Sequence, residues 1–196
     1  MNKQILAAFT ILLFTLAITG YTYSTWQETL NVQTTLNVAE FSIYIQNHNT
    51  TQTWTMSTDN HTLELGGFIQ PDDTIWTGII IKNNGTTPAS ITYGITAVES
   101  SIWETYFTHN EYFYGPYPTD PPPEVWNSAP TLPPSGGSPS PPDLLAQDKL
   151  VAWQSITLDI NCPPDAFTIE ITVAYTATFS SWTDTVYVIY TLTFQP

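Results

Sequence analysis

The three histidines of this chain, His48, His61 and His109, stand far apart among polar residues. A zinc site needs several nitrogen, sulfur or carboxylate ligands converging on one ion. The sequence has no H-E-x-x-H motif and no C-x-x-C pair, so no such set is assembled locally. "WETYFTHNEY" does bring Glu104, His109 and Glu111 together. In a polar stretch that grouping reads as solvated surface, and we expect neither metal nor cofactor. The single cysteine, Cys162, precedes two prolines with no base beside it. It reads as a small buried hydrophobe, not a nucleophile. No G-x-S-x-G elbow occurs, and Pro71-Asp72-Asp73 reads first as a turn. A glycosidase carboxylate pair forms in space and leaves no local motif. The shortage of basic and histidine residues weighs more, and the expectation is that the chain is not an enzyme, with no catalytic residue.

Composition narrows the partners. The 196 residues carry three basic side chains against seventeen acidic ones, a net charge of −14 at pH 7. Without a basic patch to neutralise phosphates, nucleic-acid binding is excluded, and an anionic membrane surface repels the chain. Hydrophobic content of 42% supports a folded core, and abundant threonine favours β-structure. One cysteine allows no intrachain disulfide.

The N-terminus carries an address. Lys3 precedes the apolar run "ILAAFTILLFTLAI", then "TGYTYS", the layout of a secretory signal peptide over residues 1–24. Cleavage is expected between Ser24 and Thr25. The run is shorter than the ~20 residues of a spanning helix, so the membrane is met only through this segment before cleavage.

Residues 25–38 then alternate. Trp26, Leu30, Val32, Leu36 and Val38 share one row, while the odd-numbered row is polar throughout. This is the pattern of a half-buried strand, longer than the usual ~5–6 residues. The phase breaks at Ala39-Glu40, where Phe41, Ile43 and Ile45 move to odd positions. One residue of slip exchanges the two faces, so the opening strand ends near Val38 and a separate body begins.

That body, residues 39–196, reads as one all-β domain, a jelly-roll or β-sandwich. Strand patterns occur in "EFSIYIQ", "TQTWTMST", "HTLELGGFI", "DTIWTGIIIK", "SITYGITAV" and "VAWQSITLDINC". A closing hairpin joins "FTIEITVAYTATF" to "TVYVIYTLTF" through "SSWTD". Asn84-Gly85 suits a turn with two positive φ angles. Residues 115–142 hold eleven of the sixteen prolines and read as a surface insertion, because proline gives no N–H to a ladder. "DLLAQDKL" is expected to hold a helical turn. N-x-[ST] sequons at Asn49, Asn60 and Asn84 are candidate N-glycosylation sites in a secreted chain.

The signal ending "TYS", Trp26 just after it, the strand "AEFSIYI" and "IQPDDTIWTGIIIKNNGTTPASITYGI" together resemble the TasA and camelysin family of secreted filament proteins. Among these the chain is most similar to archaeal bundling-pilus subunits. In that family a Pro-Gly-Asp turn precedes a strand, and an Asn-Gly turn leads to the next. Here Asp72 stands where the family has glycine. The resemblance covers roughly residues 20 to 98. It implies a jelly-roll subunit of a cell-surface filament, polymerised head to tail with other copies by donor-strand complementation. Such filaments would also contact neighbouring filaments in a bundle or biofilm. The alternating row Trp26, Leu30, Val32, Leu36 and Val38 is then the donor strand. Two other readings are a type IV pilin that retains its N-terminal helix and a secreted carbohydrate-binding jelly roll with tryptophan platforms.

Overall fold

"TIWTGIIIKN" has apolar side chains at both odd and even positions, and such a strand needs cover on two faces. In the computed structural model it is β4 (Thr74–Asn83), with neighbours on both edges and both faces largely buried. The structure describes residues 9–18, 40–126, 135–162 and 165–194. Contacts divide the chain into two units, Met1–Asn37 and Val38–Pro196. In the first, helix α1 covers residues 9–18 of the apolar run. No described helix is long and apolar enough to cross a membrane. The signal boundary at Ser24 and Thr25 lies outside the described residues, as do Trp26, Leu30, Val32, Leu36 and Val38.

The second unit is a β-sandwich, as expected. Its described strands are β1 (Ile43–Thr50), β2 (Thr53–Met56), β3 (Thr62–Ile69), β4, β5 (Ser90–Ala97), β6 (Phe107–Tyr117), β7 (Lys149–Leu158), β8 (Phe167–Phe179) and β9 (Trp182–Phe194). Short helices α2 (Ser100–Tyr106) and α3 (Pro123–Trp126) lie before and after β6. One sheet has the order β1-β4-β7-β6 and the other β2-β3-β9-β8-β5. Pairing is antiparallel except between β3 and β9, which run parallel.

Alternation sends one row of each strand into the shared core. Ile43 and Ile45, Ile75, Ile79 and Ile81, and Leu150, Ala152, Ile156 and Leu158 come from the four-stranded sheet. Leu63 and Leu65, Ile169, Ile171 and Val173, and Val186, Val188 and Leu192 come from the five-stranded one. Each such side chain stabilises the fold by about 1.5–3 kcal/mol when fully buried. The outer face of β8 and β9 is rich in threonine, with hydroxyl pairs Thr168–Thr193 and Thr176–Thr185 across the ladder.

The proline-rich segment does more than skirt the surface. Val125 and Trp126 of α3 pack on Ile80, Tyr114, Val151 and Trp153, on the outer face of the four-stranded sheet. The Trp153 indole donates to the Val125 carbonyl at 3.0 Å, and Ser138 makes a two-bond bridge to Phe113. Residues 115–117 of the segment still belong to β6, with Tyr117 opposite Lys149, so the insertion starts later than read. Beyond them its aromatic and aliphatic side chains cover a sheet face that is otherwise apolar.

Three local expectations change. The Asn84-Gly85 segment makes no hairpin: β4 and β5 belong to different sheets, and neither residue has positive φ. Buried Asn83 organises it instead. Its side chain accepts from Gly85 N–H and donates to the carbonyls of Thr87 and Leu145. Gly85 is needed for close approach, since a Cβ there would sit 2.6 Å from the Glu40 carbonyl. "DLLAQDKL" holds no helix, because Leu144 bridges to Ala89 and is wholly buried. The closing hairpin turns in two residues, Ser180-Ser181, with Ser180 at φ 56. The Pro71-Asp72-Asp73 turn forms as read, and Asp72 has φ 68. Glycine enters this region without strain, which accounts for glycine at that position in the resembling family.

Candidate functional site

Parity along three neighbouring strands puts a polar row inside the sandwich. Thr77 of β4 pairs with Gln154 of β7, and Gln154 pairs with Glu111 of β6. Residues paired across antiparallel strands project to the same face. Here that face is the core: Thr77 and Gln154 have no exposure and Glu111 has 6%. The opposing sheet answers with two tyrosines, Tyr175 of β8 and Tyr190 of β9, both buried. The Tyr175 hydroxyl donates to Glu111 Oε1. Thr77 Oγ1 lies 3.4 Å from Thr50 Oγ1 on β1.

Two members of the row lack a full set of partners. Both polar atoms of the Gln154 carboxamide are buried without a hydrogen bond. His109 Nε2 lies 3.0 Å from Glu111 Oε2, a close ion-pair contact, although neither atom has an assigned hydrogen bond. Orphaned buried polar groups cost about 1–3 kcal/mol each, so the cluster is a stressed part of the core. Burial raises the Glu111 pKa, against the opposing pull of His109 and Tyr175. Burial, then the neighbouring Glu111, pushes the Tyr175 hydroxyl well above its ordinary value. The site therefore gathers a hydroxyl, an unpartnered amide, a carboxyl that favours its neutral form and an imidazole, all shielded from water.

The residues singled out in the sequence are dispersed. His48 on β1 stacks edge-on against Trp54, ring centroids 4.1 Å apart. His61 bonds the Asp59 carbonyl through Nδ1 and approaches Asp184 at 3.4 Å through Nε2. His109 faces the core. Glu104 on α2 is exposed, so the proposed grouping of Glu104, His109 and Glu111 divides. Its last two members are not solvated, because they share inward parity with Phe107 and Phe113. No group of three or more potential metal ligands occurs among the described residues. Cys162 is half-buried against the core. Asn60 and Asn84 are exposed, whereas Asn49 on β1 is half-buried and donates to the Trp126 carbonyl at 3.4 Å. Gln154 was legible in principle: it holds the one polar place in the even row of "VAWQSITL".

The sheet edges complete the geometry. β6 pairs with β7 along one side. On its other side it bridges only to Ser138, at Phe113, among the described residues. Beside it β5 leaves Tyr93 39% exposed, 5.3 Å from the Phe113 ring, with Ile95 and Ala97 half-buried.

No protein-family model matches the chain, and no curated protein matches it. Among solved structures it is similar to a family 123 glycoside hydrolase from Clostridium perfringens, with TM-score 0.40 and 13% identity. That match covers 79% of this chain and 27% of the hydrolase. A second is AvmM, which catalyses macrocyclization in alchivemycin A biosynthesis, with TM-score 0.33, 10% identity, and 64% and 82% covered. A third is CfaE, the adhesive subunit of CFA/I fimbria of enterotoxigenic Escherichia coli, with TM-score 0.32, 7% identity, and 67% and 46% covered. Likeness at this level concerns the sandwich fold and assigns no activity. The expectation that the chain is not an enzyme is nevertheless corrected by these matches. A glycoside hydrolase and a macrocyclization catalyst stand among the similar structures, and the lack of a local motif is by itself no ground for excluding catalysis.

Proposed function

We propose that the chain is a structural subunit of an extracellular filament, polymerised head to tail as residues 25–38 of one copy join the sandwich of the next. The observation that carries this reading is the division of the chain into Met1–Asn37 and Val38–Pro196. The inward rows of the sandwich come from the second unit. Of the apolar row, Trp26, Leu30, Val32 and Leu36 belong to the first unit and Val38 opens the second, so we assign the row to a neighbouring copy.

The side of β6 away from β7 is the acceptor we favour: among the described residues only Phe113 is bridged there, to Ser138, and the strand is flanked by the half-exposed row of β5. Strand addition at an edge supplies main-chain hydrogen bonds, with alternate side chains in pockets. A head-to-tail contact of this kind propagates without closing. Five apolar side chains at about 1.5–3 kcal/mol each give roughly 8–15 kcal/mol before ordering costs.

Export and cleavage between Ser24 and Thr25 belong to the same reading, as does the resemblance to TasA and camelysin filament proteins. Bundling with neighbouring filaments and glycans on the exposed Asn60 and Asn84 belong there too. The full chain carrying Leu30→Asp and Val32→Asp should stay monomeric with an open edge. A synthetic peptide of residues 25–38 should then bind and raise its melting temperature. A hundredfold excess over Kd is worth about 2.7 kcal/mol. A scrambled peptide should do nothing, and no shift with the native peptide at saturation would refute the reading.

A further inference from the structure

Thr77 and Gln154 are register partners on adjacent strands, both wholly buried and both facing the core. The amide of Gln154 has no hydrogen-bond partner at nitrogen or oxygen. Its register partner across the ladder, Thr77, carries a hydroxyl on the same face. Paired side chains start from Cβ atoms roughly 4.5–5.5 Å apart, a span that a threonyl–glutaminyl ester fills. We propose that Thr77 Oγ1 and Gln154 Cδ condense spontaneously into an intramolecular ester that cross-links β4 to β7.

The row supplies what this reaction needs. The Thr77 Oγ1–Cδ bond forms and the Gln154 Cδ–Nε2 bond breaks. Glu111, the other register partner of Gln154, gives its carboxyl proton to the departing nitrogen. It takes the Thr77 hydroxyl proton in return, so ammonia leaves and no oxidant or co-reactant is consumed. Burial favours the neutral carboxyl that starts this exchange. Tyr175 holds one carboxyl oxygen in place and His109 Nε2 lies 3.0 Å from the other. The Thr77 hydroxyl, 3.4 Å from Thr50 on β1, turns about its Cα–Cβ bond to reach Gln154. The same burial keeps water from the product ester. In a chain with one cysteine, such a link braces the centre of the four-stranded sheet where no disulfide is available. The inference is independent of the filament reading.

Intact-mass measurement and peptide mapping of the purified full chain test it. The expected result is a mass lower by one ammonia, together with a linked peptide pair joining Thr77 to Gln154. Thr77→Val should abolish the link and restore an ordinary Gln154 peptide, and Glu111→Gln should do the same. Gln154 found in an unlinked peptide of the wild-type chain overturns the proposal, whether or not the variants fold. An ammonia loss mapped to a succinimide at Asn84-Gly85 also overturns it. A link that survives Glu111→Gln overturns the role given to Glu111.

Discussion

A carboxyl group inside a β-sandwich must be neutral or paired, because an isolated buried charge is far too costly. Glu111 has a tyrosine and a histidine within reach, yet burial dominates and its pKa is raised. In the unfolded chain glutamate loses its proton near pH ~4.3. Above that value the folded chain holds the proton that the unfolded chain has released. The stability it contributes is thus complete below the ordinary glutamate range and is lost as pH rises through the folded pKa. The slope is at most about 1.4 kcal/mol per pH unit. Glu111→Gln removes the titration, so its stability should fall less steeply with pH over that window. Chemical denaturation at a series of pH values checks this, and parallel slopes for both proteins would contradict it. Glycine contact gives a second expectation at this scale. A Cβ on Gly78 would lie 2.9 Å from three atoms of the Trp153 ring. Gly78→Ala should therefore destabilise the fold by about 1–3 kcal/mol, seen as a lower urea midpoint.

At the scale of elements, β7 is held from every side. It lies between β4 and β6 in its sheet, with the main core on one face and Val125 and Trp126 on the other. Trp126→Ala should uncover Trp153 and cost about 1–3 kcal/mol. A loss below ~0.5 kcal/mol would mean that the proline-rich segment merely rests on the sheet. Strand existence was legible in the sequence because a period of two needs only local neighbours. Inward rows such as Ile75, Ile79 and Ile81 follow from it directly. Sheet membership was not legible, since the crossing from β4 to β5 depends on Asn83 reaching Leu145, a contact distant in the chain. For the same reason His109 and Glu111 looked solvated: polarity hid an inward parity shared with Phe107 and Phe113. The polar row exists only once β4, β7 and β6 lie side by side.

For the whole molecule, the division into an N-terminal segment and a sandwich is the property with most consequence. The phase break at Ala39-Glu40 led to a boundary after Val38, whereas the contact division places Val38 with the sandwich. With a net charge of −14, copies repel one another, so assembly should need screening salt. The central claim is that the apolar row of residues 25–38 joins one copy to the next. Electron microscopy of two paired variants tests it most directly. Leu30→Asp with Val32→Asp sets two charges against a core, at several kcal/mol each. Gln33→Asp with Thr35→Asp adds the same charge on the polar row, where substitutions usually cost under ~0.5 kcal/mol. The account predicts no filaments from the first pair and near-normal filaments from the second. Filaments formed equally well by both pairs would contradict it.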